Sequence, residues 1–128
     1  MSQVQSPVLV RVEDPERMNL MGLLMRGLLE TTANSEPGRR IVRSLRGDVK
    51  VVAGSMAVTL CFSKGEVILR REAKSSPRAS VSGEMKPLLE IVAGGGLVLP
   101  VLSGRVRVRG NLLMLLKMLP LIRAPKTA

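Results

Sequence analysis

The spacing of apolar residues changes twice along the chain, from helical to alternating and back. Residues 1–17 carry little pattern and read as a loosely held N-terminal arm. From Asp14-Pro15 the spacing predicts a helix, with Asp14 as its cap and Pro15 in the first turn. It continues through ERMNLMGLLMRGLLETT, apolar around most of its circumference and interrupted by Asn19, Gly22, Arg26 and Gly27. A helix this apolar is buried deeply or lies against another apolar surface. The next segment, NSEPGRRIVRSLRG, predicts a short helix with Ile41, Val42 and Leu45 inward and Arg39, Arg40, Arg43 and Arg46 outward.

The period then falls to two. Val49–Ala53 and Met56–Phe62 flank a Gly54-Ser55 turn and predict a hairpin in which Met56, Val58, Leu60 and Phe62 share a face. Glu66–Arg71 is a third strand, with Val67 and Leu69 facing the same way, and Ala79–Gly83 a fourth. KPLLEIVAGGG predicts a helix with Pro87 in its first turn and Gly94 as its stop. No Gly-Lys-Ser/Thr follows the three glycines, so they form no phosphate loop.

Gly104-Arg-Val-Arg-Val-Arg-Gly110 is a fifth strand. Val106 and Val108 point to the core, while Arg105, Arg107 and Arg109 point to water. That outer face is either simply solvated or also steers the protein toward anionic head groups. Gly110 breaks the strand, Asn111 caps a last helix LLMLLKMLPLI, and Pro120 ends or kinks it. Leu112, Leu113, Leu115, Leu116, Met118 and Leu119 cover more than one face of that helix, and Lys117 is its one charge. The helix is therefore buried unusually fully, or its excess meets a partner chain, a membrane or a ligand inside the fold.

Composition narrows the chemistry. A chain of 128 residues, 45% of them hydrophobic, can build one packed domain. Phe62 is its one aromatic residue, so the core is Leu, Val, Ile and Met, better suited to an alkyl chain than to a stacked ring. The absence of histidine, with Cys61 the single cysteine, removes His-based catalysis and His/Cys zinc sites. Neither a metal nor a cofactor is expected. Cys61, between Leu60 and Phe62, reads as a small buried hydrophobe, and a lone cysteine suits a reducing compartment. Glu66, Glu72, Glu84 and Glu90 are scattered among basic residues without forming a pair, and no enzyme is expected.

The net charge of +10 attracts either nucleic acid or an acidic membrane surface. One aromatic ring cannot stack a run of bases, so no nucleic acid is expected. The N-terminus lacks a secretory pattern, and the apolar segments fall short of the ~20 residues that span a bilayer. The expected location is the cytoplasm, with peripheral contact at an anionic membrane.

Taken in order, these motifs resemble the sterol-carrier-protein type-2 domain family. The features are the hairpin residues Gly54, Met56, Val58, Thr59, Leu60, Phe62 and Gly65, then Leu88, Leu89 and Gly94. The strand Gly104, Arg105, Val106, Arg107, Val108, Gly110 and Asn111 follows, and then the helix Leu112 to Leu119. The similarity covers roughly 39–122. It implies an α+β fold: a five-stranded, mostly antiparallel sheet with helices packed on one face, enclosing an apolar tunnel. On this reading residues 1–17 are the arm, 18–122 the domain and 123–128 a tail. The C-terminus, Pro125-Lys126-Thr127-Ala128, lacks the Ser-Lys-Leu type of peroxisomal signal. A bacterial stand-alone member handling isoprenoid quinones or acyl lipids fits better than a sterol carrier.

The function this implies is non-catalytic binding and transfer, or presentation, of a fatty acyl, phospholipid, sterol or isoprenoid quinone ligand. The expected lining is Val58, Leu60, Phe62, Leu89, Val92, Leu99, Val106, Val108, Leu112, Leu115, Leu116 and Leu119. Arg39, Arg40, Arg43 and Arg46 are the expected membrane-surface residues. The alternative is a small interaction module that homodimerises or docks on an enzyme through its apolar helices, without a ligand.

Overall fold

The structure, a computed structural model, describes residues 8–71, 76–86, 88, 103–104 and 106–122. Six strands are among them: β1 (Leu9–Val12), β2 (Gly47–Ala53), β3 (Met56–Ser63), β4 (Glu66–Arg70), β5 (Ala79–Gly83) and β6 (Val106–Gly110). They form one sheet in the order β1-β4-β3-β2-β5-β6. Among the described residues it is accompanied by the helices α1 (Leu20–Thr32), α2 (Glu36–Ser44) and α3 (Leu112–Ile122).

The β2-β3-β4 meander follows the local pattern. Gly54 and Gly65 have positive φ in its two turns, a conformation that glycine adopts without steric cost. Antiparallel register places Val51 opposite Val58, Val49 opposite Leu60 and Leu60 opposite Leu69, all buried on one face. From there the topology departs from the expected five-stranded, mostly antiparallel sheet. β5 adds to β2 in parallel, and β1 adds to β4 in parallel, so six strands form a mixed sheet.

The extra strand lies within the supposed N-terminal arm. Val10 and Val12 pack against the core, and the ladder continues as the Glu13 N–H donates to the Leu69 carbonyl at 2.9 Å. This four-residue strand is ordered by a distant partner, a pairing that local periodicity does not display.

The first helix also begins later than the Asp14-Pro15 signal suggests. Asp14 adopts a left-handed conformation (φ 50°) and makes no side-chain cap bond, and Pro15–Arg17 form only a single 3-10 turn. Asn19 is the working cap. Its Oδ1 accepts from Gly22 N–H at 2.9 Å while its Nδ2 donates to the Ala57 carbonyl at 3.0 Å, fixing α1 to the start of β3. Ser35 caps α2 through Gly38 N–H, and Asn111 caps α3 through Met114 N–H at 3.1 Å. Pro120 does not end α3 at once: the helix runs on to Ile122.

Met21, Met25 and Leu29 of α1, Val42 of α2, and Met114, Leu115, Met118 and Leu121 of α3 join the buried sheet residues in one core cluster. Gly22 sets the closeness of α1 and β3: a Cβ there would stand 3.2 Å from Val58 Cγ2 and closer still to the Met18 side chain.

Candidate functional site

Over the meander, α1 rests directly on the sheet. Farther along, it leaves a space above β2, β5 and β6. The result is a cavity of about 640 Å³. Its floor is Val51 and Ala53 of β2, Met56 of β3, Val81 of β5 and Val108 of β6. Its walls are Leu20, Met21, Leu23, Leu24, Met25, Gly27 and Leu28 of α1, and Leu115, Met118 and Leu119 of α3, with Met85 and Leu88 closing one side.

Among the described residues every lining side chain is apolar, and none of them offers directional recognition. Five of the lining residues are methionines, whose unbranched thioethers adjust to irregular shapes. Leu20 is 62% and Leu24 59% exposed although both line the cavity, which marks α1 as its mouth. On α3, Leu112, Leu113 and Leu116 are exposed beside the lining stripe.

Of the residues expected to form a lining, the structure brings Val108, Leu115 and Leu119 to the cavity. Val58, Leu60, Phe62 and Val106 are buried in the core beside it and do not line it. Leu112 and Leu116 face outward. Leu89, Val92 and Leu99 lie outside the described residues, as do Arg105, the glycine run and most of the helix expected from Pro87; Met85, Lys86 and Leu88 are helical. The contribution of α1 was missed at residue level. Its signal was present in the near-continuous apolar circumference from Leu20 to Leu28, more than one packed face requires.

Arg39, Arg40 and Arg43 of α2, and Arg46 just after it, are absent from the described cavity lining. Arg39 is half-buried and donates to the Asn34 carbonyl. Arg40, Arg43 and Arg46 are exposed, Arg40 pairing with Glu36 at 3.3 Å and Arg46 Nη1 donating to the Arg43 and Leu45 carbonyls at 3.0 Å.

Cys61 lies on the opposite face of the sheet, buried, and accepts from Arg70 Nη1 at 3.1 Å. Burial and the neighbouring Asp48 raise its thiol pKa above the ordinary 9.0, with Arg70 acting in the other direction. A thiol held protonated is no nucleophile at neutral pH. Among the described residues no cluster of acidic or thiol side chains could hold a metal ion, and no helix is long and apolar enough to cross a membrane.

Comparison with protein-family models returns no match, and comparison with curated protein sequences returns none either. Solved structures do match. The UbiJ-SCP2 ubiquinone synthesis protein superposes with a TM-score of 0.66 at 18% identity, over 81% of this chain and 96% of its own. The sterol carrier protein domain 2 of Helicoverpa armigera gives 0.64 at 14% identity, over 87% and 91%. The fold is that of the sterol carrier protein 2 domain. Palmitated SCP2L2 from Aedes aegypti gives 0.57 at 13% identity, over 82% of this chain and 95% of that one. At 18% identity or less the likeness is one of fold, and the lining side chains need not be shared.

Proposed function

We propose that this protein is a lipid carrier, binding an acyl or isoprenoid chain in the cavity and transferring it or presenting it to an enzyme, without catalysis. The apolar lining, uniform among the described residues, carries this reading. A volume of about 640 Å³ falls within the roughly 300–1,000 Å³ typical of small-molecule sites. Burying about 16 methylenes at ~0.8 kcal/mol each gives roughly 13 kcal/mol before association costs, enough for useful affinity without a specific hydrogen bond. The lipid-bearing state of the Aedes aegypti protein is consistent with an acyl ligand, and the ubiquinone synthesis protein with an isoprenoid one.

Val81 tests this reading, because it sits on the cavity floor in the middle of a strand. In Val81→Trp the indole occupies the space a ligand needs. Affinity for a fluorescent fatty acid should fall by about tenfold or more, while the melting temperature stays close to that of the parent. Native mass spectrometry of fresh protein, with solvent extraction of the same sample, should reveal a lipid adduct. A bare mass that persists after incubation with mixed lipids would remove the carrier reading.

Loading and unloading would occur at an anionic membrane. The exposed leucines of the α1 mouth would enter the head-group region, while basic residues such as Arg40, Arg43 and Arg46 each add about 1 kcal/mol near the surface. Flotation with vesicles should therefore rise when phosphatidylglycerol is added to phosphatidylcholine at low salt. No rise would exclude this route.

The exposed Leu112, Leu113 and Leu116 favour a second reading, in which α3 docks on a second copy or an enzyme and no ligand is needed. Sedimentation before and after delipidation separates the two, since a pure interaction module would keep its assembly state.

A further inference from the structure

The lipid reading uses the inner face of the sheet. Along β2, β5 and β6 the residues alternating with the cavity floor point the other way. Register aligns Lys50, Ser80 and Arg109 in one row across these strands, and Val52, Ser82 and Arg107 in the next. Strands stand ~4.8 Å apart and alternate residues ~6.8 Å apart, so three cations and two hydroxyls fall within one small patch. Arg107 and Arg109 are exposed, and Lys50, Ser80 and Ser82 half-exposed.

The same face is neutralised on its other half, where Arg11 meets Glu66 at 3.1 Å and Arg70 meets Glu13 at 2.5 Å. Among the described residues Lys50, Arg107 and Arg109 have no ion pair, and Ser80 and Ser82 no side-chain hydrogen bond. The nearest carboxylates along these strands stand outside the two rows: Asp48 lies beside Cys61, and Glu84 follows the end of β5.

We infer that this back surface of the cavity floor docks a carboxylate-rich, extended segment of a partner protein. An extended segment with an acid at every second position presents carboxylates at the same ~6.8 Å pitch as Arg107 and Arg109. Guanidinium binds carboxylate through two parallel hydrogen bonds, and the serine hydroxyls supply further donors. Among the described residues, binding breaks no ion pair. A nucleic acid fits less well, because Phe62, the chain's one aromatic residue, lies on the opposite face. A bilayer fits less well too, since docking here would turn the α1 mouth away from it.

The test uses the full chain and a fluorescein-labelled peptide of alternating glutamate and serine, with anisotropy read at low ionic strength. The variant K50E/R107E/R109E should lose about tenfold or more in affinity. A charge-matched control, R17E/K64E/R71E, alters exposed residues elsewhere and should lose far less. R107Q/R109Q, which adds no repulsion, should give an intermediate loss and serves if the reversal variant fails to fold. Equal losses in reversal and control would show an effect of net charge alone and overturn the assignment. So would no peptide binding by the parent protein, or tighter binding through these same residues to phosphatidylglycerol vesicles or a single-stranded oligonucleotide. Lipid binding is scored separately, by the fatty-acid assay, so failure of this surface leaves the carrier reading standing and the reverse also holds.

Discussion

Thr59 is 1% exposed, and its hydroxyl has no hydrogen-bond partner among the described residues. A buried hydroxyl without a partner costs about 1–3 kcal/mol relative to a satisfied one. Valine has nearly the same shape and needs no partner, so Thr59→Val should stabilise the fold by about 1 kcal/mol. A urea midpoint that fails to rise would show that the hydroxyl is satisfied in solution. One position along the same face, Cys61 makes a pH-dependent contribution. Its folded pKa is raised, so the native state holds the thiol proton after the unfolded chain has released it. Stability from this source is complete below about pH 9 and declines as pH rises toward the folded value. Parallel urea titrations of the parent and Cys61→Ala should show the parent's midpoint falling relative to the variant above pH 9. Parallel curves would refute the linkage.

Among the elements, α1 depends most on one side chain. Asn19 both caps the helix and ties it to Ala57, so Asn19→Ala should cost about 1–2 kcal/mol in chemical denaturation. A loss below a few tenths would mean that Met21, Met25 and Leu29 hold the helix without the cap. Local chemistry points to Asp14-Pro15 as the start and passes Asn19 by as an interruption of the helix. Tertiary structure selects Asn19 instead, because a helix starting at Leu20 places Gly22 over Val58. The β2-β3-β4 meander, β5, β6 and the Asn111 cap were legible because their signals are local: alternation, turn glycines and a capping side chain. β1 was not, since Leu-Val-Arg-Val becomes a strand only beside β4. The cavity was half-legible. Alternation showed which way Val108 points, but could not separate residues beneath a raised helix from Val58 and Leu60 beneath a seated one.

At the scale of the whole molecule, three strands serve two surfaces. Val51, Val81 and Val108 face the cavity, while Lys50, Ser80, Ser82, Arg107 and Arg109 face outward on the same strands. Ligand and partner would thus be separated by one backbone thickness, and neither surface needs residues from the other. The excess of cations that defines the sequence is partly neutralised where β1 and β4 meet and left unpaired behind the cavity floor. Charge is thereby concentrated on one part of a sheet that the apolar helices cover only on its other side.

The parallel seating of β1 against β4 also orders events in time. Leu9 pairs with Glu66, and Arg11 reaches a carboxylate 55 residues downstream. On a growing chain this first strand emerges long before its only ladder partner exists, whereas β2, β3 and β4 can zip together as each appears. Four residues with two valines must therefore wait unpaired until Glu66, 55 residues beyond Arg11, has been made, and the arginine in that strand keeps the waiting segment charged. The sheet is closed at this edge by a segment made before any of the other described strands.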